Sequence, residues 1–564
     1  MRVGRFTVSQ STFLLVAAIV VGLGGGFGAV VFRGLIYWEQ YLAFDIIGAR
    51  LGAAIGVASI VVQLVLGGVI AAWIASTFAP EAKGHGVPEV MEAVALRGGV
   101  MRPRVIAIKA LASATSIGFG GSCGREGPIV QIGSAIGSVI GQVSRAPAPA
   151  VRTLVACGAA AGISATFNAP IGGVFFAAEV ILGEFAPRSF AAIVVSSVIA
   201  AVIGRTFMGN RPSFDGAAFQ LVSPYELALY AVLGLLAALW ATGFVRLLYF
   251  CKDRFEGLKI PAWVKGGVGF GLVGVIGVWF PQIFGVGYDS IQQMLDGHVP
   301  VAHAVVLSIL KPLATSLTLG GGGSGGIFAP SLFTGAFLGD AFGRSVHMLF
   351  PAWTATGAAY GLVGMAAVFS AAAEAPITSI MIVFEMSDDY TIILPLMVCV
   401  VIATLLGRKF LGATIYEMKL IRRGIDWKSV RRPRFLTRVS VESIRRDPPL
   451  VAQLRDRIGE VALRDTDAGE LAVPVCEGRR FVGIVSLADL AGALAAGQGD
   501  ETVETILHTF TDRLRPDDTV ERAATLMADE LTPLLPVVDA RDERLLGIVT
   551  RRDVLLAYRS LVDA

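Results

Sequence analysis

GGSCGREGPIVQIG, residues 120–133, sets Gly-Arg-Glu-Gly-Pro between two long apolar runs. Gly121, Gly124 and Gly127 leave the backbone free to turn and to expose its N–H groups. Pro128 suits the first turn of a helix that follows. Such a helix points unpaired N–H groups and the positive end of its dipole at whatever lies in front. In a membrane, a helix broken in this way is tolerated only where it lines a cavity, and an anion is its natural guest. Glu126 puts a carboxylate in that place. A carboxylate that can hold the anion's position, and leave it when protonated or out-competed, acts as a gate. Taken alone, the stretch could be a plain membrane-helix cap. Related stretches elsewhere in the chain argue for more.

Working outward, the composition is that of a polytopic membrane protein: of 564 residues, 54% are hydrophobic and 16% charged, with 67 glycines. A net charge of +3 is too small to suggest a nucleic-acid partner. The five cysteines, Cys123, Cys157, Cys251, Cys399 and Cys476, lack metal or redox spacing and read as packing residues. No metal cluster, nucleophile–base pair or cofactor motif points to an enzyme. The apolar run from about Ser11 is too long for a signal peptide and reads as the first membrane helix, with Arg2 and Arg5 placing the N-terminus in the cytoplasm. Apolar runs, many short and interrupted by Gly or Pro, continue to about residue 412. Short, broken helices mark a transport protein with a site near the midplane.

A repeat runs through this part. Lys109 lies 19 residues before Pro128, and Lys311 lies 19 before Pro330. GSCGREGP (121–128) answers GSGGIFAP (323–330), and FNAPIGGVFFAAE (167–179) answers AEAPITSIMIVFE (373–385). Two repeated halves suggest a site at their interface. The expected divisions are a membrane domain over 1–420, a basic cytoplasmic linker over 421–439 and a soluble tail over 440–564.

The membrane part resembles the CLC family of chloride channels and proton/chloride antiporters over roughly residues 15–420. The resemblance rests on GHGVPEV (84–90), GREGP (124–128), GIFAP (326–330) and Tyr416, taken to lie near the end of the last membrane helix. It implies an all-α homodimer in the plasma (cell inner) membrane, both termini cytoplasmic, with an inverted repeat and an anion path in each subunit. The implied anion contacts are His85, Gly86, Arg125, Gly127, Ile327, Phe328 and Tyr416, with Glu126 as gate. The cargo is chloride and similar anions.

The chain departs from the family pattern twice. His85 stands where the family has serine; it offers a bulkier ring donor that can also take a positive charge. Val180 stands where family antiporters carry the inner proton-transferring glutamate. Glu179 is one position earlier, and its repeat mate Glu385 suggests a structural role for both. The expectation is a passive gated channel; the alternative is an antiporter with another inner proton route.

In the tail, LAVPVCEGRRFVGIVSLADL (471–490) answers LLPVVDARDERLLGIVTRRDV (534–554). Each copy has two β-branched runs around a polar turn, then a helix start. The pattern resembles paired CBS domains, about 440–498 and 501–564, of α/β fold. The resemblance implies an adenine nucleotide faced by Ser486, Asp489, Thr550 and Asp553; the plainer alternative is that the aspartates only cap helices. CBS pairs also hang from magnesium transporters, but those need pore carboxylates for a hard cation, and glycine-rich helix starts suit an anion instead.

Overall fold

A computed structural model describes residues 2–3, 6–7, 10–210, 214, 221–425, 439–464, 472–509, 512–529, 534–540 and 542–563. Most of the basic linker expected over 421–439 lies outside these residues. The chain forms two compact units, Met1–Trp427 and Lys428–Ala564.

The first unit is helical, and eight of its described helices are long and apolar enough to cross a membrane. Sixteen of its described helices fall into two series of eight, with a π-helical segment Tyr41–Gly48 and a short helix Ala49–Ile55 outside them. The first comprises α1 (Gln10–Gln40), α2 (Ala58–Phe78), α3 (Val87–Leu96), α4 (Arg104–Gly118), α5 (Glu126–Val143), α6 (Ala148–Phe167), α7 (Pro170–Phe176) and α8 (Pro187–Met208). The second comprises α9 (Glu226–Gly257), α10 (Ala262–Trp279), α11 (Tyr288–Leu295), α12 (Val301–Gly320), α13 (Phe328–Leu349), α14 (Gly357–Ala373), α15 (Pro376–Ser387) and α16 (Ile393–Leu411). The packing repeats with them: α5 lies on α6 as α13 lies on α14, and α1 lies on α8 as α9 lies on α16.

Glycine makes the tightest of these contacts. A Cβ on Gly133 would sit 2.1 Å from the Gly158 carbonyl oxygen, and one on Gly335 would sit 2.2 Å from that of Gly364. Both pairs bring helix backbones together, as small residues do between helices in lipid.

Equivalent elements of the two halves also touch each other. Glu179, in a π-helical segment Ala177–Leu182, accepts hydrogen bonds from the backbone N–H groups of Ile377 (3.3 Å) and Thr378 (2.8 Å) at the start of α15. Glu385, in α15, accepts from Ile171 (2.9 Å) and Gly172 (2.6 Å) at the start of α7. Each carboxylate caps the other half's helix, satisfying N–H groups that the helix itself cannot. Reciprocal contacts of this kind are the mark of a two-fold relation. The structural role expected for both glutamates is therefore what they perform.

The first unit ends differently from the sequence expectation for Tyr416. Gly412, with φ +71°, closes α16 at Leu411. A short helix α17 (Glu417–Arg422) then begins. Thr414 and Glu417 cap it reciprocally, each side chain bonding the other's backbone N–H at 3.0–3.1 Å. Tyr416 therefore lies beyond the last long helix, in this turn. The turn is fixed by Ile415 N–H to Ala372 O (2.8 Å) and by Tyr249 Oη to Ile415 O (2.6 Å).

The second unit is α/β. Strands β1 (Ala452–Gln453), β2 (Ala472–Glu477), β3 (Arg480–Ser486) and β4 (His508–Thr509) form one sheet in that order. Strands β5 (Leu534–Val538) and β6 (Leu545–Thr550) form an antiparallel pair. Both β2–β3 and β5–β6 carry a bulge, at Val475/Cys476 and Val537/Val538. The two copies share a core in which Phe481 and Ile484 pack with Leu534, Val538 and Ile548.

Glu385→Ala is expected to lower unfolding free energy by about 1–2 kcal/mol, the usual value of a lost helix cap. Glu179→Ala should cost a similar amount. Denaturant unfolding of the purified protein in detergent measures both.

Candidate functional site

Three broken-helix starts converge: α3 after Gly86, α5 after Arg125 and α13 after Ile327. Their loops hydrogen-bond one another. Gly124 N–H donates to Gly326 O (2.8 Å) and Gly326 N–H to Gly124 O (2.6 Å). Gly84 N–H donates to Gly323 O (3.2 Å), and Gly325 N–H to Gly84 O (3.3 Å). Gly127 must be glycine, because a Cβ there would lie 2.1 Å from the His85 carbonyl oxygen.

The two repeat lysines are buried and hold glycine loops in place. Lys109 Nζ donates to Ala82 O (2.9 Å) and Gly84 O (2.7 Å). Lys311 Nζ donates to Ile283 O (2.9 Å) and Gly285 O (2.8 Å). Thus the loop before α11 is the repeat mate of the loop before α3. Gly86 and Gly287 turn into these helices at φ +85° and +93°, a region open to glycine.

His85, Glu126, Gly127, Ile327, Phe328 and Tyr416 line one narrow slit, walled also by Val87, Val130 and Phe176. Glu126 is 1% exposed and Tyr416 1%. The His85 and Tyr416 ring centroids lie 6.0 Å apart. Among the described residues, His85 Nδ1 and Glu126 Oε2 are buried without a hydrogen-bond partner.

A vestibule of about 560 Å³ opens at the His85 end, where Lys83, Lys252, Lys265, Lys419, Arg422 and Arg423 outnumber Asp253 and Glu256. Its field favours anions. A second vestibule, about 730 Å³, carries Arg125 and Tyr288 on its wall.

Not every expected contact reaches the slit. Gly86 shapes the turn into α3 and does not line the slit. Arg125 lines the second vestibule, its guanidinium 5.3 Å from the Tyr288 ring centroid. Val180 is buried in the π-helical segment.

Two features escaped the sequence reading. Tyr288 Oη donates to Glu126 Oε1 at 2.7 Å; its signal was GVGY (285–288), which repeats the Gly-x-Gly of GHGV (84–87). The other is an ion cluster around the buried Glu89–Lys419 pair, which joins α3 to α17. Glu89 pairs with Lys419 (2.6 Å) and Arg423 (2.9 Å), and Glu92 pairs with Arg423 (3.0 Å).

In the second unit, the four expected nucleotide contacts serve as local caps. Ser486 accepts from Asp489 N–H (3.0 Å), and Asp553 accepts from Thr550 N–H (2.8 Å). Asp489 also meets His508 (2.9 Å), and Asp553 meets Arg446 (3.0 Å). The Ser486 hydroxyl, and then His508, hold the Asp489 carboxyl below its usual range.

A family model described as voltage gated chloride channel matches residues 67–408. The chain belongs to the CLC family. The CBS domain model matches 441–496 and 500–560. The chain is 34% identical over 347 residues to a putative chloride channel protein ClcB-like of Ralstonia nicotianae, covering 60% of this chain and 80% of that one. It is 34% identical over 424 residues to the H(+)/Cl(-) exchange transporter ClcA of Salmonella arizonae, covering 72% and 88%. Among solved structures, a slow cyanobacterial Cl-/H+ antiporter matches at 28% identity and TM-score 0.66, over 74% of this chain and 99% of that one. A eukaryotic CLC transporter shares the fold at 21% identity and TM-score 0.65, over 97% and 99%. This CLC protein is thus a membrane anion transporter in the broad sense of its family.

Glu89→Gln would leave the Lys419 ammonium buried without its carboxylate. The expected cost is about 3–5 kcal/mol. The pair Glu89→Gln/Lys419→Met should recover part of it, which a double-mutant cycle on unfolding measures.

Proposed function

We propose that this CLC protein conducts chloride and similar anions passively between the two vestibules, with Glu126 as the gate. The observation that carries this reading is the place of the Glu126 carboxylate. It is buried at the start of α5, in the slit that Ile327 and Phe328 line at the start of α13. Helix starts attract anions through N–H groups and dipole, so the carboxylate holds a place that chloride would take. Among the described residues, no Lys or Arg lines the slit. Partial charges alone bind an anion weakly enough to let it leave. The Nδ1 of His85, without a partner among the described residues, can donate to a passing anion in the tautomer that carries its proton. The basic vestibule faces the cytoplasm in this reading, since positive residues such as its Lys419, Arg422 and Arg423 favour that side.

Passive conduction is supported at the inner proton position. Val180 cannot carry a proton, and Glu179 is committed to capping α15. The second reading, proton/chloride antiport by another inner route, draws on the exchanger and antiporter names of the Salmonella and cyanobacterial relatives.

Reconstituted liposomes separate the two. Under a chloride gradient the passive reading expects no proton uptake; uphill proton movement at a fixed ratio to chloride would overturn it. Glu126→Ala should raise chloride efflux several-fold, and unchanged efflux would remove Glu126 from the gate. His85→Ser should shift the anion selectivity series, measured by bi-ionic potentials.

A further inference from the structure

We propose that Tyr288 is a positioning residue that latches the gate shut, an inference resting on Glu126 being that gate. Tyr288 comes from the second half, at the first position of α11, whereas Glu126 opens α5 in the first half. The phenol reaches across the repeat interface and donates to Glu126 Oε1 at 2.7 Å. It is the one side-chain donor to that carboxylate among the described residues, beside the backbone N–H groups of Glu126 and Ala329, which also face it. A hydrogen bond to a charged acceptor is about twice as strong as one between neutral groups.

The surroundings fix where the phenol points. Gly287 turns the chain into α11 at φ +93°, and a Cβ there would lie 2.7 Å from the Phe333 ring. The Tyr288 ring meets Phe167 edge-on at 6.3 Å and Phe214 at 6.0 Å. Arg125 lies over its face at 5.3 Å. The positive charge stacked on the ring draws electron density from the phenol and strengthens its O–H as a donor. Arg125 thus stands beside both members of the pair, over the Tyr288 ring and next in sequence to Glu126.

The repeat offers an internal comparison. The residue of the first half that matches Tyr288 is Val87, which follows the Gly84-x-Gly86 turn and lines the slit near His85. Valine has no donor, so the hydrogen-bonding latch exists at the Glu126 end of the path alone.

The test is chloride efflux from liposomes holding wild type, Tyr288→Phe, Glu126→Ala or the double variant. Phenylalanine keeps the ring packing and the cation–π contact and removes the hydroxyl. Efflux of Tyr288→Phe should rise about tenfold, the scale of one lost hydrogen bond to a charged group. Its half-saturating chloride concentration should fall, because a loosened carboxylate competes less well with the anion. In the Glu126→Ala background, Tyr288→Phe should add nothing further.

Two results would overturn the latch while leaving the gate standing. One is wild-type efflux and half-saturation in Tyr288→Phe alongside an opened Glu126→Ala. The other is an equal rise from Tyr288→Phe in both backgrounds, which would make the tyrosine a constriction and not a latch. Wild-type efflux in Glu126→Ala, seen without touching Tyr288, would remove the gate itself, and the latch with it.

Discussion

The fold depends on what becomes of backbone N–H groups at helix ends buried in apolar surroundings. Three helices, α3, α5 and α13, begin inside the unit, and each leaves donors without a partner in its own helix. Lipid cannot satisfy them. The loops before these helices bond one another, Gly124 to Gly326 in both directions and Gly84 to Gly323 and Gly325. That pairing needs backbones in contact, which accounts for glycine at 127 and 326; at Gly124 a Cβ would instead lie 2.2 Å from the Glu126 Oε2. The donors left over border a slit of aliphatic and aromatic groups, and a carboxylate sits among them.

The buried lysines belong to the same problem from its acceptor side. Tightly turned loops expose carbonyl groups as well as N–H groups, and a buried carbonyl needs a donor. Lys109 and Lys311 each serve two carbonyls of a glycine loop. The ammonium has three donors and no acceptor, which suits a site made of carbonyl oxygens. Neither lysine lines the slit, so neither brings a full positive charge there.

Much of this was legible in the sequence because it is written in residue types that few other roles require. GREGP and GIFAP announce helix starts, and the equal spacing of Lys109 and Lys311 from their prolines announces the repeat. Glu179 and Glu385 could be paired by alignment, and the structure gives the pairing its cause in mutual caps. Tyr288 could not be assigned to the gate by spacing, since 162 residues separate it from Glu126 and only the two-fold packing joins them. Tyr416 was displaced by a local rule that the sequence did contain: Gly412 ends one helix, and the Thr414–Glu417 pair starts another. Arg125 was expected at the anion because it sits inside the motif. A residue beside a helix start need not share its neighbour's direction, and this one stacks on a ring outside.

The two halves are alike where they hold each other and unlike where they face the slit. Matching glutamates cap matching helices, and matching lysines hold matching loops. At the ends of the slit the correspondence breaks: His85 and Val87 stand at one, Glu126 with Tyr288 at the other. On the passive reading proposed for this chain, an ion entering from either side climbs a different profile, with a wide cationic mouth ahead of one barrier and a hydrogen-bonded carboxylate ahead of the other. Equal and opposite driving forces then yield unequal currents, and rectification is the expected consequence of a few side chains that differ between two similar halves.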